Sequence, residues 1–75
     1  MGFFSSISEG IFAAKVVKNI ANHLNVHTSQ LPDWVLTGAK DSAPMHKAHG
    51  YTPEEAAISI LETQKQYILA EITNK

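Results

Sequence analysis

The stretch YTPEEAAISILETQKQYILAEI, from Tyr51 to Ile72, carries the strongest helical signal in the chain and decides its fold class. Thr52 offers a hydroxyl oxygen to the first turn, Pro53 brings a φ already set for a helix, and Glu55 stands where its carboxylate can close a capping box with Thr52. Glu54 and Glu55 also lie at the positive end of the helix dipole. Tyr51, just before the cap, is placed to fold over Ala56 as a hydrophobic staple, and Gly50 supplies the freedom to turn into the helix.

At about 100° per residue, Ala57, Ile58, Leu61, Ile68, Leu69 and Ile72 form one broad apolar arc, with Ser59, Glu62, Gln66 and Thr73 opposite. Lys65 interrupts the arc and can snorkel. A second apolar shoulder, Ala56, Ile60 and Tyr67, is set apart from the arc by Gln64 and Glu71. One helix therefore offers two apolar surfaces. Either the N-terminal segment of the same chain covers the shoulder, or a second copy or another protein does, because a helix draws most of its stability from packing.

The chain has 75 residues, which makes one small domain over residues 1–75, near the size where a single core is only just sufficient. It has no cysteine, so disulfides, thiolate zinc sites and cysteine nucleophiles are excluded. Its formal net charge is −1, and all six of its basic residues are lysine. The absence of guanidinium forks argues against a surface built to grip phosphate, and so against nucleic acid as a partner. No run of about 18 apolar residues is present and no basic n-region precedes an apolar core, so neither a transmembrane segment nor a signal peptide is expected. The expected location is cytoplasmic.

Upstream, Ser6-Ile7-Ser8-Glu9 reads as a second capping box opening a helix that continues to about Leu24. Ala13, Val16, Val17, Ile20, Ala21 and Leu24 make its apolar face, and Ser8, Lys15, Asn19 and Asn22 lie on the other side. Gly10 loosens the first turns at a cost of about 1 kcal/mol relative to alanine. Phe3 and Phe4 need cover from the core, a membrane surface or a partner, and docking on the domain's own core is expected. Met1-Gly2-Phe3-Phe4-Ser5-Ser6 also fits the loose N-myristoylation pattern, which a plain helix start explains better.

Ile20 to Trp34 resembles the generic helix-turn-helix pattern, with Ala21, Leu24, Asn25, Val26, Leu31 and Trp34 at suitable spacings. Asn25 stands at the turn position usually held by Gly, and it tolerates the left-handed conformation. The resemblance implies DNA binding through a second helix. Yet residues 29–36 hold Pro32 and Asp33 and no basic side chain, so base-reading and phosphate contacts are lacking. The alternative is a short helix capped by Thr28 or Ser29, with Pro32 in its first turn and Gly38 ending it. Leu31, Trp34 and Val35 would then plug the open side of the helical pair, with Trp34 in the core. From Thr37 to Gly50 the Gly, Lys, Asp, Ser, Pro and His content reads as a long loop before the last helix.

His23 and His27 stand at i,i+4 and His46 and His49 at i,i+3, so two pairs could meet as a four-nitrogen zinc site if both lay on helices. Against this, His27 falls past the expected helix end. Ser42, His46 and Asp41 can be named as a hydrolytic set, but no nucleophile elbow frames them, and there is no glycine-rich phosphate loop. A chain this small also lacks the means to enclose a catalytic pocket.

The expected fold is thus all-α: a small helical bundle of two long antiparallel helices plus one short helix, with an irregular loop before the last. The expected function is that of a non-enzymatic protein–protein interaction module, such as an adaptor, inhibitor or accessory subunit, with no cofactor. Ile60, Tyr67, Gln64, Trp34, Phe3 and Phe4 are its expected partner-facing residues, and the partner is another protein or a second copy. A helix-turn-helix regulator and a histidine metal-binding protein are the alternatives.

Overall fold

A computed structural model describes the backbone of residues 2–74 and the side chains of residues 8–74. The described residues form three α-helices and one short 3-10 turn, and no strand. Helix α1 spans Gly2–Leu24, the 3-10 turn Thr28–Gln30, helix α2 Asp33–Ala48 and helix α3 Pro53–Thr73. The all-α class follows, and no helix among the described residues is long and apolar enough to cross a membrane.

Helix α1 is the spine, because both α2 and α3 pack against it while touching each other much less. Its apolar face is the one read from the sequence. Ala13, Val16, Val17, Ile20 and Ala21 are buried, and Leu24 and Phe12 pack at the edge of the same cluster. The helix starts earlier than the Ser6-Ile7-Ser8-Glu9 capping box implies, since helical backbone already begins at Gly2. Any docking by Phe3 and Phe4 lies outside the described side chains.

The end of α1 is fixed by Asn25, whose φ of 58° is left-handed. Its N–H donates to the Asn22 carbonyl at 3.2 Å, and the Val26 N–H donates back to the Ala21 carbonyl at 3.0 Å. This pair is a Schellman ending, which satisfies two carbonyls that the last turn would otherwise leave free.

The sequence expectation fails for α2. Instead of a short helix from Thr28 that stops at Gly38, Thr28–Gln30 make only a 3-10 turn and a helix of 16 residues runs from Asp33 through Gly38 and Pro44 to Ala48. The irregular loop expected over 37–50 shrinks to the link at 49–52. Packing accounts for the difference. Val35, Ala39, Ala43 and His46 recur at helical spacing and are all buried, so this face meets the core along its whole length. Pro44 provides no N–H to the Lys40 carbonyl, but both residues are exposed and water can take the free acceptor.

A second Schellman ending closes α2. Gly50 has φ 78°, its N–H donates to Lys47 O at 3.0 Å, and the Tyr51 N–H donates to His46 O at 2.9 Å. The Tyr51 ring then stacks on the His46 ring, with centroids 5.4 Å apart and planes 22° off parallel. The apolar contact that usually accompanies this ending is here aromatic.

Helix α3 begins as its sequence dictates. Glu55 N–H donates to Thr52 Oγ1 at 3.1 Å and Thr52 N–H donates to Glu55 Oε1 at 2.9 Å, the two halves of the capping box. Its buried line differs from the expected arc. Ala56, Ala57 and Ile68 are buried and Ile60, Leu61 and Ile72 pack at the core's edge, whereas Ile58 and Leu69 are 42% and 36% exposed. The two alanines allow close approach to the rest of the core, so the contact line runs between the predicted arc and shoulder. Ile60 is drawn inward and Ile58 and Leu69 are left outside.

Candidate functional site

A cleft of about 380 Å³ lies between α2 and α3. Trp34, Val35, Gly38, Ala39, Ser42, Met45 and His46 line it from α2, and Ser59, Ile60, Thr63 and Gln64 from α3. Its walls exist because these two helices rest on α1 rather than on each other. Small side chains at Gly38, Ala39, Ser42 and Ser59 keep the helices' facing surfaces from filling the space.

Three of the six residues expected to face a partner meet in this cleft: Trp34, Ile60 and Gln64. Tyr67 is outside its lining but lies on the same side of α3, one to two turns beyond Ile60 and Thr63, and is 57% exposed. Phe3 and Phe4 lie outside the described side chains.

Trp34 is not the core plug that its neighbours suggest. Leu31 and Val35 are both 3% exposed, but Trp34 is 40% exposed. Its indole N–H donates to the Glu71 carboxylate, tying the start of α2 to the last turns of α3. The ring thus forms one end of the cleft, with its polar handle satisfied and much of its apolar surface free. At the other end of α2, the Lys47 ammonium donates to Ser8 Oγ on α1.

Met45 and Ser59 are lining residues that the sequence reading overlooks. The signal for Met45 is present: Trp34, Gly38, Ser42 and Met45 recur at one-helix-face spacing, which becomes visible once residues 33–48 are taken as a helix. Met45 is 54% exposed, and its unbranched, polarisable chain adapts well to a partner's shape.

Three of the polar side chains in the cleft, Ser42, Thr63 and Gln64, are engaged within their own helices. Ser42 Oγ donates to Gly38 O at 2.8 Å, and Thr63 Oγ1 donates to Ile60 O at 3.3 Å. His46 is 6% exposed, its Nδ1 is buried without a hydrogen-bond partner, and Tyr51 covers its ring. Ser42, His46 and Asp41 form no hydrogen-bonded chain, since the Ser42 hydroxyl turns along its own helix.

Nor do the histidines gather. His23 and His27 are exposed at the end of α1 and just beyond it, while His46 and His49 flank the Tyr51 ring. Among the described residues no group of three or more His, Asp or Glu side chains is placed to hold a metal ion. The helix-turn-helix spacing also fails. α2 starts at Asp33, so residues 25–32 separate the helices, well beyond the roughly 3–4-residue turn of that motif, and residues 29–36 do not form a single recognition helix.

No protein family, characterised protein or solved structure gives a significant match to the chain.

Proposed function

We propose that this protein is a small non-enzymatic interaction module that receives a protein partner in the α2–α3 cleft and on the adjoining side of α3. The observation that carries the reading is that three large, exposed side chains stand in or beside one cleft. Trp34, Met45 and Tyr67 are 40%, 54% and 57% exposed around a cleft whose floor is Val35, Ala39 and Ile60. Aromatic residues and methionine are the side chains enriched where proteins bind one another. At about 380 Å³ the cleft has room for a few side chains from one face of an amphipathic helix. Trp34 and Tyr67 serve as rigid anchors, Met45 adapts, and Gln64 and Thr63 supply polar contacts at the rim. An adaptor, inhibitor or accessory subunit of a cytoplasmic assembly would use such a surface.

The test is affinity capture from extracts of the source cells, with the wild-type chain compared with Tyr67→Ser and Met45→Ser. Both side chains are more than half exposed, so both variants keep the fold, which circular dichroism would verify. Each is expected to weaken capture of one discrete partner by about tenfold, the equivalent of removing a moderate hot spot. Unchanged capture by both variants would exclude the cleft as the binding face.

A further inference from the structure

On the side of α3 turned away from the cleft, Ile58, Glu62, Lys65 and Leu69 follow one another at i, i+4, i+7 and i+11. At about 100° per residue these four positions fall within a strip some 60° wide, so they present as a single line along the helix. All four are exposed, Ile58 by 42% and Leu69 by 36%. A shallow depression on this side is lined by Leu61, Glu62, Lys65, Gln66 and Leu69, with Thr63 on the edge it shares with the cleft.

The order of residue types along this line, apolar, acidic, basic, apolar, is complementary to its own reverse. Turned end for end, it meets itself with Ile58 on Leu69 and Glu62 on Lys65. We propose that this face of α3 pairs with the same face of a second copy of the chain, the two α3 helices antiparallel about a two-fold axis that passes midway between Glu62 and Lys65. Such an isologous contact makes every interaction twice, giving two Ile58–Leu69 pairs and two Glu62–Lys65 ion pairs. The charges also fix the direction. A parallel, in-register pair would set Glu62 against Glu62 and Lys65 against Lys65, which is repulsive. A partner of unrelated sequence would have to reproduce this charge order, whereas a second copy supplies it by symmetry.

The contacting line is about 17 Å long at the helical rise of roughly 1.5 Å per residue, which is short for a permanent interface. The dimer is therefore a concentration-dependent one. Because Ile58, Glu62, Lys65 and Leu69 are all outside the cleft's lining, the dimer can form and fail independently of partner capture through Tyr67 and Met45.

Sedimentation velocity on the purified full chain, over a series from micromolar to near-millimolar, tests the proposal with four proteins: wild type, Glu62→Lys, Lys65→Glu and the double swap Glu62→Lys/Lys65→Glu. The substituted positions are exposed, so helix content by circular dichroism should be equal in all four. The wild type is expected to pass from one-chain to two-chain mass. Each single reversal places like charges opposite each other at both symmetric positions and is expected to weaken association by about tenfold or more. The double swap restores both ion pairs and is expected to recover the wild-type curve, a rescue that a merely structural role for either residue would not give. A wild-type chain that stays at one-chain mass throughout, a dimer indifferent to the single reversals, or a double swap that does not recover would each overturn the proposal. Partner capture unchanged by Glu62→Lys would show that the cleft works separately from this face.

Discussion

Ile20→Ala is expected to destabilise the protein by about 2–5 kcal/mol, the usual range for removing a fully buried branched side chain and leaving a cavity. Ile20 is 0% exposed and belongs to the face of α1 on which both other helices rest. A chain of 75 residues is held together by about 4–11 kcal/mol in total, so the loss consumes a large part of its stability. Ile11, on the same helix but 55% exposed, is the matched control, and Ile11→Ala should change stability by less than about 0.5 kcal/mol. Urea unfolding followed by circular dichroism reads both. Equal effects at the two positions would mean that α1 is not the spine of the fold.

Ala57→Leu is expected to cost about 1–3 kcal/mol or more by the opposite route, because extra methylenes have no room at a close helix contact. Ala57 is 0% exposed and lies on the line where α3 meets the core. The same substitution at exposed Ala70 should be neutral, since alanine and leucine are both good helix formers. A thermal melt separates them, with a shift of about 4–8 °C for each kcal/mol in a domain of this size. A neutral Ala57→Leu would show that α3 stands further from the core than the buried alanines imply.

The parts of the fold that the sequence displays are those where local chemistry and tertiary packing agree. Thr52, Pro53 and Glu55 specify the start of α3 by hydrogen bonds that need no other part of the chain, and those bonds are present. The face from Ala13 to Leu24 stands out because Val16, Val17 and Ile20 carry strong hydropathy at the helical period. Asn25 marks its own turn, since it is among the few non-glycine residues that accept the left-handed conformation.

Helix α2 is hidden for the converse reason. Its buried face is Val35, Ala39, Ala43 and His46, which recur at the helical period, but two alanines and a histidine carry so little hydropathy that the face does not stand out. Gly38 and Pro44 meanwhile are the usual marks of a loop. Glycine inside a helix costs about 1 kcal/mol and proline about 3 kcal/mol, costs that packing against α1 offsets and that no local reading can weigh. The cleft was only half legible for the same reason. Ile60, Gln64 and Trp34 are conspicuous residue types, but their meeting, and the place of Met45 beside them, depends on a helix that the composition disguises.

On α3 the apolar arc of the sequence and the buried line of the structure differ by a rotation about the helix axis. Ile58 and Leu69 outweigh Ala56 and Ala57 in hydropathy, so a sum over the helical wheel points the core side toward the larger residues. Helices approach most closely where side chains are small, and that geometry turns the helix until Ile60 faces inward. What this rotation leaves outside is the Ile58 and Leu69 line, while Tyr67 stands exposed on the cleft side.

The claim that the α2–α3 cleft is the partner-binding face is tested most directly by site-specific photo-crosslinking in source-cell extract, with a photoreactive side chain placed at Met45 in one protein and at Lys18 in another. Met45 lines the cleft, while Lys18 is exposed on α1 and outside its lining. One discrete crosslinked species is expected from position 45, suppressed by Tyr67→Ser, and none from position 18. Equal crosslinking from both positions, or a discrete adduct from position 18 alone, would contradict that claim.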